Sequence, residues 1–246
     1  MKQFGWEIFL GAALITASAG LYYAEIKIFH AQRDTLFYLF QDLAFVPVQV
    51  LLVTLILNQL LNIREKKAML NKLNMVIGAF FSEVGTGLLK SFLPFDHHPD
   101  TIRSRLMVTA EWPDQRFSLA AKNLKDDDCQ IDCKKGDLEA LKSFIVEKRD
   151  FLLRLLENPN LLEHETFTEL LWAVFHLTEE LTAREDLSRL SAPDCAHIGG
   201  DIRRAYLLLI AEWLAYMRHL KREYPYLFSL ALRTNPFDPK ASAEVK

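Results

Sequence analysis

Residues 41–61 read QDLAFVPVQVLLVTLILNQLL and decide the fold class of this 246-residue chain. Only Gln49 and Thr54 interrupt the apolar run of residues 43–57. A helix on the surface of a soluble bundle would show a polar stripe every three or four residues, and none is present. At about 1.5 Å per residue the quoted stretch is about 31 Å long, close to the thickness of the hydrocarbon core of a bilayer. The stretch therefore predicts a membrane-spanning helix over residues 43–62.

A second apolar run, WEIFLGAALITASAGLYYA, occupies residues 6–24. Its length is close to the roughly 20 residues that a helical span needs, and aromatic rings lie at both of its ends, where they favour the membrane interface. A signal peptide is the alternative, because Ala-Ser-Ala at residues 17–19 resembles a cleavage site. Against it, a single lysine precedes the run and the acidic Glu7 lies inside it. We predict a two-span transmembrane helical hairpin over residues 1–63.

Basic residues set the expected orientation of the hairpin. Those near the ends of the spans are Lys2, Lys27, Arg33, Arg64, Lys66, Lys67 and Lys72. Only Lys27 and Arg33 lie between the two spans, so the positive-inside rule predicts an external loop and both termini in the cytoplasm. The three cysteines, an odd and low number, fit a reducing compartment.

Polar residues inside the spans need an explanation, because ionisable groups are costly in a bilayer. At about 100° per residue, Asp42 and Gln49 share one face of the second span, as Glu7 and Ser18 share one face of the first. The favoured interpretation is hydrogen bonding between the two helices, and the alternative is a polar seam lining an oligomeric pore. Pro47 removes a backbone hydrogen bond, which predicts either a static bend or the hinge of a gate.

Small residues recur at every fourth position of the first span, at Ala12, Thr16 and Gly20. This spacing lets helix backbones approach closely, either within the hairpin or between subunits. The pattern therefore favours a homo-oligomer.

The rest of the chain is also helical by its periodicity, and no alternating strand pattern occurs. Residues 64–93 predict a juxtamembrane helix that lies on the membrane or joins a bundle. Residues 94–236 predict a cytoplasmic helical bundle, and residues 237–246 a disordered tail. The predicted fold class is all-α.

The loop at residues 125–139 is rich in oxygen and sulfur ligands. Cys129 and Cys133 could join Cys195 and His197 around zinc, although the C-x-x-x-C spacing is looser than that of a zinc knuckle. As a calcium loop the segment lacks the glycine required at its sixth position. We therefore expect an exposed acidic loop with reduced, metal-free cysteines.

No sequence pattern of a known catalytic centre occurs in the chain, which argues against an enzyme and against a bound cofactor. The net charge is −3 and basic residues alternate with acidic ones, so nucleic acid is not an expected partner. We expect a non-enzymatic, homo-oligomeric membrane protein whose cytoplasmic domain docks another protein or senses a signal. The alternative is a small homo-oligomeric ion channel in which the second span lines the pore and the helical domain gates it.

Overall fold

The structure is a computed structural model, and it contains no strand within the residues that it describes. The described residues are 2–29, 32–125, 129–158, 161 and 164–244. The all-α fold class is confirmed. The chain divides into two compact units, Met1–Lys66 and Lys67–Lys246.

The first unit contains helix α1 (Lys2–Phe29) and most of the long helix α2 (Gln32–Phe80). Every side chain from residue 36 to residue 66 is exposed, and most of them are apolar. By length and composition, Arg33–Lys66 could cross a bilayer. Helix α2 continues without interruption through Pro47.

The end of α2 belongs to the second unit and has a different environment. Lys72–Phe95 is also long and apolar enough to cross a bilayer, but half of it is buried. Leu73, Ile77 and Phe80 are buried in the core of the helical domain. Of the two alternatives for the juxtamembrane segment, the structure therefore shows bundle packing for this part.

A π-helical turn, Phe81–Gly85, follows α2 and leads into helix α3 (Thr86–Phe92). The Thr86 N–H donates to the carbonyl of Phe81, five residues earlier, and the Thr86 hydroxyl donates to the same oxygen at 2.8 Å. A Cβ at Gly85 would lie 2.5 Å from the Phe81 ring and 2.8 Å from the Phe80 ring. The turn therefore needs glycine because two buried rings lie against its backbone.

Seven further α-helices lie in the described part of the second unit. They are α4 (Pro99–Arg105), α5 (Asp114–Lys125), α6 (Leu138–Glu147), α7 (Arg149–Leu156), α8 (Glu165–Thr182), α9 (Ala192–Glu223) and α10 (Pro225–Arg233). Helix α9 is the central one and packs against α3, α5, α8 and α10. It begins where the Ser191 hydroxyl accepts a hydrogen bond from the Asp194 N–H, which satisfies one of the free donors of the first turn.

The segment expected to be a disordered tail is held against the bundle. Phe237 is buried, with its ring 5.1 Å from that of Trp213. The Asn235 side-chain amide donates to the Leu106 carbonyl at 3.0 Å, and the Ser242 N–H donates to the backbone carbonyl of Arg233 at 2.9 Å. The expectation of disorder is therefore wrong for residues 237–244, because one aromatic side chain anchors them; residues 245–246 lie outside the described part.

Candidate metal centre

Two consecutive helices, α8 and α9, each carry a histidine and an acid four residues apart. The pair on α8 is His176 and Glu180, and the pair on α9 is His197 and Asp201. Residues at this spacing share one face of a helix. Because the two helices pack together, all four side chains meet where α8 ends and α9 begins.

The donor atoms of these side chains are closely spaced. Nε2 of His176 lies 3.5 Å from Oδ2 of Asp201 and 3.8 Å from Oε1 of Glu180. Nε2 of His197 lies 3.5 Å from Oδ2 of Asp201 and 3.5 Å from Oε2 of Glu180. Tetrahedral zinc with bonds of about 2.1 Å places its ligand atoms about 3.4 Å apart. The four imidazole–carboxylate distances are close to that value, and the donor atoms of His176, Glu180 and His197 all lie within 4.8 Å of one another.

Asp201 is the buried member of the cluster, with a side chain that is 4% exposed. Its Oδ2 accepts no hydrogen bond from the residues that the structure describes. The contacts of 3.5 Å to the two imidazoles are longer than an N–H···O hydrogen bond. A buried carboxylate oxygen without a donor is costly, and a bound cation would remove that cost.

Arg184 holds the acid of α8 in place. Its guanidinium donates to Oε2 of Glu180 at 2.7 Å and to Oδ1 of Asp194, in the first turn of α9, at 2.6 Å. Hydrogen bonding to Arg184 holds the pKa of Glu180 below its usual range against the opposing effect of burial, with a smaller contribution from His197. The same guanidinium lowers the pKa of Asp194. Glu180 is therefore ionised and oriented, as a metal ligand must be.

The structure does not assemble the four-residue zinc site that the sequence offered as an alternative. Cys133 and Cys195 form a disulfide, with their Cα atoms 5.6 Å apart, so the expectation of reduced cysteines is wrong for this pair. The spacing within the loop gave no hint of it, because the partner lies 62 residues further along the chain. Cys129 is buried outside the disulfide, and its thiol donates to Oδ2 of Asp96 at 3.6 Å. His197 contacts the carboxylates instead of the cysteines.

Among the polar residues of the first unit, Asp42 has a partner on the other helix. The Tyr22 hydroxyl of α1 donates to Oδ2 of Asp42 on α2 at 3.4 Å. Gln49 and Ser18 are exposed, and the side chain of Glu7 lies outside the described part. The small residues Ala12, Thr16 and Gly20 form an exposed line along α1, where the Thr16 hydroxyl donates to the Ala12 carbonyl at 2.8 Å.

The sequence did contain a signal for the cluster. The stretches HLTEE at residues 176–180 and HIGGD at residues 197–201 both place an acid four residues after a histidine. Each pattern alone is too common to indicate a site. Two such patterns on neighbouring predicted helices would have pointed to the four residues of this cluster. Assigning His197 to a site with the cysteines hid this signal.

The fold and this cluster define the class of protein: an all-helical chain with an apolar two-helix unit, a helical bundle and a pair of histidine–acid motifs. Two family models match it, one described as the MJ1433 N-terminal helical domain over residues 2–61 and the other as the C-terminal helical domain of "Uncharacterized protein MJ1433" over residues 69–233. The chain is 50% identical over 241 residues to that protein of Methanocaldococcus jannaschii. The matched residues are 98% of this chain and 97% of the relative. No solved structure matches. The chain belongs to the MJ1433 family.

Proposed function

We propose that this protein is a two-span membrane protein whose helical domain binds a divalent transition-metal ion and reports its presence to a partner protein. The observation that carries the metal assignment is the position of the buried Asp201 Oδ2. It lies 3.5 Å from two imidazole nitrogens and accepts no hydrogen bond within the described part of the chain. The role is non-catalytic, in line with the lack of catalytic sequence patterns.

An ion-paired arrangement without metal explains the cluster less well. Arg184 pairs with Oε2 of Glu180, and Arg204 pairs with Oδ1 of Asp201. Further ion pairs from these carboxylates to the histidines would require protonated imidazoles at both His176 and His197, whose donor atoms lie within 4.8 Å of each other, and like charges at that distance repel. Neutral imidazoles would either turn a lone pair towards the carboxylates or donate across distances too long for a hydrogen bond. A cation at the centre satisfies all four groups together.

Zinc is the ion that these ligands favour. Imidazole nitrogen and carboxylate oxygen are both common zinc ligands, and a tetrahedral arrangement matches the observed spacing. The side chains of His176 and His197 are 46% and 54% exposed, so the ion can reach the site from solvent. Binding would join the last turns of α8 to the first turns of α9, which gives the domain a way to respond to the metal.

The membrane assignment rests on the first unit. Around α2 from residue 43 to residue 57, only Gln49 and Thr54 are polar among the exposed side chains. These are too few to form a polar face for water, which favours a lipid environment. We propose that α1 and this part of α2 form the hairpin, that both termini are cytoplasmic, and that exposed small residues of α1 serve homo-oligomerisation. The bond between Tyr22 and Asp42 supports packing over a channel, because it engages the carboxylate within the hairpin.

Zinc titration of the full-length protein in detergent tests the metal assignment. After removal of bound metal with a chelator, we expect one zinc ion per chain by elemental analysis. A His176→Gln, His197→Gln double variant should lose it, and the exposed His98→Gln should serve as the matched control and retain it. Bound zinc should also slow amide hydrogen exchange at the facing ends of α8 and α9. Absence of zinc from the wild type, or zinc retained by the double variant, would reject the proposal.

A further inference from the structure

A second polar site lies at the opposite end of α9 from the metal cluster. It is a cavity of about 280 Å³ between the end of α2, the start of α8 and the second half of α9. Its lining includes Ile77, His164, Glu212, Tyr216 and His219, with the exposed Arg218, Arg222 and Glu223 at its rim. Glu212 follows Asp201 by eleven residues on α9, which is about 16 Å along the helix. The cavity is therefore separate from the metal cluster.

Glu212 is the unusual residue of this cavity, because its carboxylate is buried without a cation. It is 5% exposed, and its Oε1 accepts a hydrogen bond of 2.5 Å from the Thr166 hydroxyl. No ion pair joins it to any basic residue in the described part of the chain. A buried carboxylate with one neutral donor is expensive unless a positive charge meets it.

The neighbouring basic residues are engaged elsewhere. Arg222 donates to Glu223 at 2.8 Å, and Arg218 donates to the Ser118 hydroxyl at 2.9 Å. Burial lowers the pKa of His219, which keeps this ring neutral at neutral pH. Nδ1 of His164 accepts the N–H of Phe167 and so carries no proton.

The remaining walls suit hydrocarbon. Ile77 is buried, and the Tyr216 ring is stacked on that of Phe81 at 5.0 Å and half-buried. The cavity therefore combines the buried Glu212 carboxylate, which pairs with no cation among the described residues, with two imidazoles and apolar surface. The guanidinium groups of Arg218 and Arg222 in its lining are hydrogen-bonded to Ser118 and Glu223. Such walls complement a cation with a hydrocarbon body.

We propose that this cavity binds a small organic cation with a primary ammonium group. The ammonium donates to Glu212, and the hydrocarbon lies against Ile77 and Tyr216. The ligand would join the end of α2 to α8 and α9, so its binding would stabilise contacts among three helices of the domain. This proposal does not depend on the metal cluster.

Isothermal titration of the full-length protein in detergent tests this proposal with three probes of equal chain length: n-butylammonium chloride, n-butanol and sodium butyrate. We expect saturable binding of the ammonium ion only. Glu212→Gln keeps the size of the side chain and an acceptor for Thr166, and should weaken ammonium binding at least tenfold. Glu185→Gln, at an exposed acid outside the cavity, and Asp201→Asn are the matched controls and should change it less than twofold.

Three results would overturn the proposal. They are no binding of the ammonium ion, equal binding by Glu212→Gln, and binding of butyrate at least as strong as that of the ammonium ion. The second result would show that the cation sits elsewhere, and the third that the arginines at the rim define an anion site. Zinc binding is measured separately on the same variants, so failure of one proposal is distinguishable from failure of the other.

Discussion

At the scale of single residues, a substitution of Asp201 tests whether this side chain is a metal ligand or an ion-pair partner. Asp201→Asn removes the charge and preserves the shape. If Oδ2 is a ligand, the variant should bind zinc at least tenfold more weakly. The metal-free protein should keep its stability to within about 1 kcal/mol, because the amide oxygen can still accept from Arg204 and the oxygen that accepts no hydrogen bond is gone. Thermal unfolding with and without zinc measures both effects. A larger destabilisation of the metal-free variant would indicate that Asp201 acts through ion pairs with the histidines and Arg204.

The ion pairs of Arg184 predict how stability depends on pH. The folded-state pKa values of Glu180 and Asp194 lie below their ordinary values of about 4.3 and 3.9. Their contribution to the free energy of unfolding is therefore complete above those values and is lost as the pH falls through the lower folded-state pKa values. Chemical unfolding from pH 6 to pH 3 should show a shallower loss for Arg184→Gln than for the wild type. The exposed Arg189→Gln is the control, and parallel curves for wild type and Arg184→Gln would contradict the prediction.

Asp42 is the residue that tests how the hairpin packs. Asp42→Asn should be tolerated, because an amide can still accept from Tyr22, whereas Asp42→Leu should weaken the helix–helix contact by about 1 kcal/mol. A double-mutant cycle with Tyr22→Phe, measured by unfolding in detergent, should show that the two effects are not additive. Ion flux into liposomes that changes in Asp42→Asn, with assembly intact, would instead support the channel.

At the scale of elements, the loop before α6 is fastened along one side of α9. Cys195 is bonded to Cys133, a Cβ at Gly199 would lie 3.3 Å from the Ile131 carbonyl, and Arg203 donates to the Cys129 carbonyl at 2.8 Å. The three α9 positions are four residues apart and therefore share a side of the helix, whereas His197 and Asp201 lie on another. The disulfide thus fastens α9 without occupying the metal-binding side.

The disulfide closes a long loop and should contribute to stability. The chain-entropy model gives about 4 kcal/mol for a loop of this length, with 2–4 kcal/mol typical. Cys133→Ser should therefore lower the free energy of unfolding by about 2–4 kcal/mol. Cys129→Ser keeps the disulfide, so it should keep the contribution to stability that a reductant removes from the wild type. Denaturant unfolding with and without a phosphine reductant measures this. Three free thiols in the denatured, unreduced protein would show that the bond does not form.

Local elements of this fold could be predicted from the sequence, but contacts between them could not. Periodicity predicted that the C-terminal part of the chain is helical, and the apolar run predicted residues 43–62 as the middle part of what is now α2. No local sequence pattern shows that the turn after His176 faces the turn after Ser191, because this contact depends on how α8 and α9 pack. The metal cluster, the disulfide and the position of Phe237 are all contacts of this kind.

At the scale of the whole molecule, two features disagree about the compartment of the helical domain. The basic residues at positions 64–72 favour the cytoplasm, whereas disulfides are typical of oxidising compartments. We give the charge distribution more weight, because both bonded cysteines are buried and a reductant reaches them slowly.

Labelling with a membrane-impermeant thiol reagent in intact cells decides the orientation. A cysteine introduced at His30, between α1 and α2, should be modified, and one introduced at Ser242 should not. The parent chain is the control, since Cys129 is buried and Cys133 and Cys195 are bonded to each other. The reverse pattern would place the helical domain outside.

The π-helical turn at Phe81–Gly85 has a consequence for aligning relatives of this chain. Phe92 follows Leu73 by nineteen residues, so on a regular α-helix, at about 100° per residue, their side chains would point about 100° apart. The extra residue of the turn absorbs that rotation, and both side chains are buried in one core. A relative with a one-residue gap between positions 81 and 85 should therefore have a plain α-helix there and an unshifted apolar pattern on either side. In an alignment, such a gap should therefore be placed within the π-helical turn that ends at Gly85.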